Sequence, residues 1–489
     1  MSPAHRSSVR RWPVLILVVA VLAGVAVAAR TPGRPVGGGP PVTPGALVSA
    51  PDAESSAWYC TGQSTASGQT APGSLLLTNT TSRAVAGTVS SVTEAGATTL
   101  TSVSVPAHGQ MVPLIPAPSS GSWVSSIVVL SGGGVAVTQA VSGTSGWSEA
   151  PCQSATSARW YFPSGVTSGS DGLYISLLNP TSTPDVVDLS FVTPSGTVHP
   201  INFEGLVVPP GQMEVENVAA EVQNQSAVAT TVATRTGRVV ASELEQFSGG
   251  ASGLSIVPGL PRAEAHWFIP QSQELSGGTS EVDVFNPGTT TERVTVRAHL
   301  ASGPLAPLEQ RVLPGTTWVL PTSAQTRIPD GAVYATDIDA TGGSGVVVGR
   351  IVEAPGSAPA PQAGMADAIG ALSATSPTNL WVVPPPGTPA APTVGGVVPA
   401  HLALSNSSAA TERYALSIST SSGSHTLSSG RLLPGQTVPL GAAALARIGF
   451  DQVMVRATGP LAVSEDVGPT GNYGVVTMPA IPLAAALAL

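Results

Sequence analysis

The chain of 489 residues contains no lysine, so all 19 of its basic residues are arginine. Charged residues make up only 10% of the sequence and aromatic residues only 4%, whereas a soluble globular domain has roughly 25% charged residues. This composition excludes a coiled coil, a collagen and a multi-span membrane protein, and it disfavours a helical enzyme. Glycine (54) and proline (46) are abundant instead. The sequence therefore indicates a long, turn-rich, all-β chain.

Cysteine is equally scarce, since the sequence has only Cys60 and Cys152. Two cysteines are too few for a structural zinc site, and no histidine lies at ligand spacing from either of them. In a secreted chain, two thiols usually form one disulfide. We therefore predict a Cys60–Cys152 bond with a structural role, because no Cys-x-x-Cys pair indicates redox chemistry.

Basic residues are concentrated at the N-terminus. Residues 1–34 hold five arginines and no acidic residue, so the rest of the chain contains 14 arginines and all 28 acidic residues. An acidic segment without basic clusters repels phosphate backbones. The sequence therefore predicts no nucleic-acid partner.

One apolar run, residues 13–29, is uncharged and with Trp12 is long enough to span a bilayer. Arginines precede it, so the positive-inside rule predicts that the N-terminus stays in the cytoplasm and that the rest of the chain lies outside. We predict a cytoplasmic basic tail (1–11), a transmembrane signal-anchor (12–29) and a Pro/Gly-rich tether (30–56) in a single-pass plasma-membrane protein whose bulk is extracytoplasmic. An A-x-A sequence ending at Ala28 leaves open a cleaved signal peptide and a secreted protein.

The rest of the chain contains four repeats, each with the same markers in the same order. Each repeat opens with a tryptophan, at spacings of 102, 107 and 114 residues: Trp58, Trp160, Trp267 and Trp381. A strand-like run then ends in an asparagine: Asn79, Asn179, Asn286 and Asn406. A Pro/Gly turn follows at Gly109, Gly211, Gly315 and Gly435, and a hairpin closes the repeat. We interpret the tryptophans as core residues and the asparagines as turn residues.

Each repeat holds about seven short alternating strands in roughly 100 residues, which is typical of an immunoglobulin-like β-sandwich. A propeller blade has four strands in about 40–50 residues and fits less well. The predicted fold is all-β, with four tandem immunoglobulin-like β-sandwich modules after a single N-terminal transmembrane helix. The four modules are predicted at residues 57–153, 158–262, 265–372 and 379–484.

Motifs for catalysis or metal binding are weak in this sequence. The seven histidines do not recur at equivalent repeat positions. Asp337 and Asp339 resemble the first half of a calcium loop, but Val348 stands where a bidentate glutamate is required. A hairpin turn explains them better. We predict no metal site, no cofactor and no catalytic residue.

Acidic pairs in the second repeat give the best argument for an enzyme. Glu214 and Glu216, and also Glu243 and Glu245, lie two residues apart, so each pair shares one face of a strand. Paired carboxylates could serve glycoside hydrolysis, but no other repeat has them. A solvated sheet face is the preferred interpretation. If an aromatic side chain contacts a ligand, the unshared tryptophans are the best candidates: Trp123, Trp147 and Trp318.

The W-Y-C opening near residue 60, the W-Y-F-P-x-G of residues 160–165 and the L-x-N-P of residues 178–180 resemble a known family. It is an actinobacterial family of membrane-anchored or secreted proteins, catalogued only as a domain of unknown function. The resemblance would extend over about residues 57–484. It implies an extracytoplasmic location and no activity.

These observations predict a non-enzymatic cell-envelope protein with a structural or binding role. Its expected partners are cell-wall glycan or envelope proteins, together with the membrane through the N-terminal helix. One alternative is an accessory subunit of envelope polysaccharide synthesis or export. Another is a glycan-active enzyme with its site in the second module.

Overall fold

The computed structural model describes residues 46–484 except 65–70, 95, 116–120, 249–250, 275–276, 301, 355–361, 368, 371–378, 385–396, 407, 421–422, 442–451 and 470–475. The predicted tail, signal-anchor and most of the tether lie outside the described residues. By internal contacts, the described residues all belong to one compact body, Pro44–Leu489. None of the helices in the described part of the chain is long and apolar enough to cross a membrane.

The fold is all-β, and its strands follow the four sequence repeats. The first repeat contains β1 (Ser56–Ser64), β2 (Gly73–Asn79), β3 (Val85–Thr93), β4 (Gly96–Val105), β5 (Gln110–Met111), β6 (Trp123–Leu130), β7 (Val135–Ser142) and β8 (Trp147–Pro151). The second contains β9 (Arg159–Phe162), β10 (Gly172–Leu178), β11 (Asp185–Thr193), β12 (Gly196–Val198), β13 (Leu206–Val208), β14 (Met213–Asn217), β15 (Ala229–Thr236), β16 (Val240–Phe247) and β17 (Gly253–Pro258), with two short 3₁₀ helices at Ile201–Phe203 and Val218–Ala220.

The third and fourth repeats have the same plan. The third contains β18 (His266–Gln273), β19 (Thr279–Asn286), β20 (Glu292–Leu300), β21 (Gly303–Pro304), β22 (Leu308–Val312), β23 (Thr316–Pro321), β24 (Val333–Thr341), β25 (Val347–Ala354), β26 (Gln362–Asp367) and β27 (Ile369–Gly370). The fourth contains β28 (Leu380–Val383), β29 (Val397–Asn406), β30 (Glu412–Thr420), β31 (Gly423–Leu432), β32 (Thr437–Gly441), β33 (Gln452–Ala457), β34 (Leu461–Pro469), β35 (Val476–Pro479) and β36 (Ile481–Pro482).

Each repeat contributes two antiparallel sheets. The sheets that contain the tryptophan strand have the orders β1-β6-β3-β4, β12-β11-β15-β9, β21-β20-β24-β18-β27 and β31-β30-β33-β28-β36. The sheets that contain the asparagine strand have the orders β5-β2-β7-β8, β14-β10-β16-β17, β23-β19-β25-β26 and β32-β29-β34-β35. Apolar side chains from both sheets of a repeat form one buried cluster. Each pair of sheets is therefore sandwich-like, as alternating apolar residues on two facing sheets require.

Contacts between repeats close into a circuit. The last strands of the asparagine sheets contact one another in the order β8, β17, β26, β35 and back to β8. The fourth repeat therefore contacts the first as well as the third. We call this set of contacts the strand circuit.

The end of the predicted tether is part of this arrangement. Val48 is fully buried and pairs with Leu483 in a parallel bridge. Its N–H donates to the Pro482 carbonyl and its carbonyl accepts from the Ala484 N–H, both at 2.9 Å. The tether prediction for residues 30–56 is therefore wrong at its C-terminal end, because the apolar Val48 side chain packs into the core of the first repeat.

Candidate functional site

The predicted disulfide is present. Cys60 in β1 and Cys152, directly after β8, are bonded across a sequence separation of 92 residues. Both are buried. The neighbouring Tyr59 and Gln153 exchange two backbone hydrogen bonds, of 2.8 and 3.0 Å. The bond therefore fastens two segments that the backbone already pairs.

The four tryptophans that open the repeats lie in the cores, with exposed fractions of at most 2%. The indole N–H of Trp160 donates to the Val239 carbonyl, and that of Trp267 donates to the Val346 carbonyl, both at 2.9 Å. These carbonyls lie one residue before the central strand of the other sheet. Each of these two indoles thus ties the two sheets of its repeat together.

The unshared tryptophans do not line the pocket described below. Trp147 is fully buried. The ring centroid of Trp123 lies 5.2 Å from that of Tyr174 in the second repeat, with the ring planes tilted by 46°, and Trp318 packs against the core of the third repeat. All three therefore contribute to packing.

The four repeat asparagines share one turn geometry and are almost fully buried. In each, the side-chain amide donates to the carbonyl four residues later, and the side-chain oxygen accepts from the N–H two residues later. Asn286, for example, donates to Thr290 and Val312 at 2.8 and 2.9 Å. This is an Asx-type turn that also holds the strand leading to the following Pro/Gly turn.

Four buried polar side chains occupy equivalent positions that the sequence analysis missed. Gln139, Glu243, Arg350 and Glu465 each pair with the residue four positions before the repeat asparagine. Gln139 donates to the Thr61 carbonyl of β1, and Arg350 donates to the Gln271 carbonyl of β18. In these two repeats the polar side chain crosses the sandwich to the tryptophan strand. In sequence these residues lie 60, 64, 64 and 59 positions after the repeat asparagines, so the strand pairing and not a fixed spacing reveals that they are equivalent.

The glutamates of the second repeat do not lie on a solvated face. Glu243 and Glu245 are fully buried, so the solvated-face prediction is wrong for this pair. Burial raises the pKa of Glu245 well above its ordinary value, although its carboxylate accepts the Val166 N–H at 3.2 Å. Glu214 and Glu216 are half-buried on β14, and burial raises the pKa of each.

The best candidate site is a pocket of about 330 Å³ between the third and fourth repeats, which we call the 3–4 pocket. Its wall in the third repeat comes from β18, β20 and β24 and includes His266, His299 and Asp337. Its wall in the fourth repeat comes from the end of β29 and two turns and includes Ser405 and Gly435. A cavity of this size falls within the range of small-ligand sites, roughly 300–1,000 Å³.

Repeat geometry explains why a pocket forms at this boundary. The Pro/Gly turn of one repeat lies against a strand or hairpin of the repeat before it. The hydroxyl of Thr197 donates to Gly315 of the third repeat at 3.3 Å, and a Cβ added at Gly435 would lie 3.3 Å from Cε1 of His299. The contact is reinforced at Ser405, whose hydroxyl donates to the Pro270 carbonyl at 3.2 Å. The two walls are therefore fixed by contacts between the two repeats.

Titratable side chains gather on the third-repeat wall, in a set we call the His–Asp cluster: His266, Arg297, His299, Asp337 and Asp339. Because side chains two residues apart on a strand share a face, Asp337 and Asp339 both project from one side of β24. Their cross-strand partners bring the other members to the same side, since His266 pairs with Asp339 and Arg297 with Asp337. The hairpin-turn explanation of Asp337 and Asp339 is wrong, because both lie within the strand.

The two oxygens of Asp337, and likewise those of Asp339, contact different side chains. Arg297 binds the Oδ2 atom of Asp339, and its Nη1 lies 3.5 Å from Oδ2 of Asp337. The Oδ1 atoms face His266, whose Nδ1 lies 2.5 Å from Asp339 and 3.9 Å from Asp337. His299 Nε2 lies 3.5 Å from Oδ2 of Asp337.

These contacts shift the titration of two members of the cluster. Burial alone would lower the pKa of His266, but the adjacent Asp339 and Asp337 carboxylates raise it above the ordinary value. The contact with His266, together with Arg297, lowers the pKa of Asp339 against the effect of its burial. At neutral pH an ionised Asp339 carboxylate therefore faces the imidazole of His266.

Part of the chain is similar to a known protein family. Residues 130–348 match the family of unknown function DUF5719. This confirms the predicted resemblance to a catalogued family of unknown function, over a shorter range than the predicted 57–484. The matched range extends from the end of β6 into β25 and includes all five residues of the His–Asp cluster. No curated protein matches the chain.

Two solved structures share limited similarity with this chain. A Thermotoga maritima protein, described as "Thermotoga maritima 1070", is 16% identical, covers 22% of this chain and 95% of its own, and has a TM-score of 0.20. A tetra-tandem repeat from the extending region of a large adhesion protein is 10% identical, covers 90% of this chain and 99% of its own, and has a TM-score of 0.11. Both scores are too low to support an argument about fold or function.

Proposed function

We propose that the protein is a non-enzymatic, extracytoplasmic structural and binding protein of the cell envelope. In this proposal, four immunoglobulin-like β-sandwich modules form one platform, and the segment at residues 12–29 anchors it to the membrane. The buried disulfide supports an oxidising compartment, because such bonds persist mainly outside the cytoplasm.

The observation that carries the proposal is the 3–4 pocket. The residues that line it include Ser405, Thr437, His299 and Asp337, together with the aromatic Phe268. Hydrogen-bonding groups beside an aromatic ring suit a sugar, which has both hydroxyl groups and an apolar face. We therefore assign cell-wall or lipoglycan saccharides as the ligand class.

A sedimentation assay tests this function. The full chain, purified in mild detergent, is mixed with insoluble actinobacterial cell-wall material in the presence of a chelator, and the bound fraction is measured. Ala409 lines the pocket from an exposed turn, so Ala409→Arg fills the pocket without disturbing a core. Ala410→Arg is the matched control, because Ala410 is the exposed neighbour outside the pocket lining.

We expect saturable binding by the wild type and by Ala410→Arg, and at least ~10-fold weaker binding by Ala409→Arg. Binding that both variants retain would remove the pocket from the proposal. An absence of wild-type binding to the cell-wall material would contradict the binding role.

A further inference from the structure

We propose that His266, Asp337 and Asp339 form a binding site for one divalent transition-metal ion of the zinc type, at the wall of the 3–4 pocket. One ligand atom of each residue, a ring nitrogen or a carboxylate oxygen, lies within 4.8 Å of the other two. This inference does not depend on the proposed envelope function.

The orientation of the three donor atoms carries the proposal. His266 Nδ1 and Asp337 Oδ1 are both buried atoms. Nδ1 lies 2.5 Å from Asp339 Oδ1 and 3.9 Å from Asp337 Oδ1, in an ion pair that a metal ion would replace. Metal binding requires the neutral imidazole, so a bound ion would displace the proton of His266 and take its place between the three donor atoms.

The remaining members of the cluster are placed as outer-shell partners. Arg297 holds the Oδ2 atoms of both carboxylates, and His299 approaches Oδ2 of Asp337. The Oδ1 atoms are thereby aimed at His266. Hydrogen-bonded second partners of this kind fix the orientation of metal ligands and raise affinity. Arg297 also offsets one of the two carboxylate charges of Asp337 and Asp339.

The donor set selects the class of ion. An imidazole nitrogen with two carboxylate oxygens suits zinc and related transition metals, whereas calcium prefers six to eight oxygen ligands. Three protein ligands leave a fourth tetrahedral position, as in zinc sites that bind an exogenous ligand. His266 and Asp337 both line the 3–4 pocket, so that position would be accessible from it.

Zinc titration of the full chain tests the site. The protein is stripped with a chelator, dialysed, titrated with zinc chloride by calorimetry, and assayed for bound metal by elemental analysis. The site variants are His266→Ala and Asp339→Asn. The matched controls are His199→Ala and Asp330→Asn, because both residues are exposed and lie outside the cluster. Circular dichroism checks that each variant is folded.

We expect one zinc per chain for the wild type and both controls, and at least ~10-fold weaker binding for both site variants. Calcium and magnesium at the same concentration should not compete. Equal zinc binding by the site variants, no stoichiometric zinc in the wild type, or a preference for calcium would each overturn the proposal.

A measurement on the unmodified chain covers the case in which a variant fails to fold. Diethylpyrocarbonate modifies exposed imidazoles, and mass spectrometry locates the modified histidines. We expect zinc to protect His266 at least ~5-fold and to leave His199 unprotected, since a metal-bound imidazole is a poor nucleophile. Equal modification of His266 with and without zinc would overturn the proposal.

Discussion

Removal of the Cys60–Cys152 bond should destabilise the protein mainly through its unfolded state. The bond closes a loop of 92 residues, and the loop-entropy relation gives about 4.6 kcal/mol at 25 °C as the upper limit of its contribution. The folded state loses little, because Tyr59 and Gln153 keep their two backbone hydrogen bonds and β8 stays paired with β7. We therefore expect Cys60→Ala with Cys152→Ala to lower the free energy of unfolding by about 2–4.6 kcal/mol.

Guanidinium unfolding followed by tryptophan fluorescence measures this loss. Alanine is preferred to serine, because both positions are buried and a hydroxyl group there would lack a partner. Reduced wild-type protein serves as the control and should lose the same stability as the double variant. A loss below about 0.5 kcal/mol in both samples would refute the reasoning, because the disulfide would then not restrict the unfolded chain measurably.

Two further predictions follow from buried polar groups. Asn286→Ala removes three hydrogen bonds of a buried turn, so it should cost about 3 kcal/mol in denaturant unfolding, whereas Asn202→Ala on the surface should cost below about 0.5 kcal/mol. Glu245→Gln should be more stable than the wild type at neutral pH. Burial raises the pKa of Glu245 in the folded state, so the stability of the wild type falls as pH rises above the unfolded-state pKa of about 4.5. The fall is at most about 1.4 kcal/mol per pH unit. Thermal unfolding between pH 4 and 8 measures that difference, and a difference that does not grow with pH would contradict it.

Features encoded locally and repeated along the chain could be predicted from sequence. The tryptophan and asparagine positions recur at nearly constant spacing, and the cysteines bracket one repeat. The all-β class and the disulfide followed from these markers. The repeated asparagine also indicated its own turn, because the Asx geometry involves residues only two to four positions away.

Features that depend on contacts between distant segments could not be predicted in this way. The His–Asp cluster combines β18, β20 and β24, so its members are separated by up to 73 residues. Histidines compared at equivalent repeat positions gave no signal, because only the third repeat builds the cluster. The strand circuit and the pairing of Val48 with Leu483 join opposite ends of the described chain, and no local pattern specifies such pairs.

The burial of Glu243 was missed for a different reason. Alternating acids on a strand normally indicate a solvated face. Here the same face of β10 carries Ile175, which belongs to the core, and Glu243 pairs with it. The equivalent site is polar in all four repeats, but its distance from the repeat asparagine varies between 59 and 64 residues, so it becomes visible only once the strands are paired.

Hydrogen–deuterium exchange at the two ends of the described chain tests the closed arrangement of repeats most directly. The amides of Val48 and Ala484 each donate to the other segment at 2.9 Å, so peptides that cover them should be protected together. Val48→Pro removes one of these donors and should expose both peptides at once. Exchange at the rate of an unstructured chain in the wild-type peptides would contradict the pairing of the Val48 segment with the end of the fourth repeat, and with it the closed contact between the first and fourth repeats.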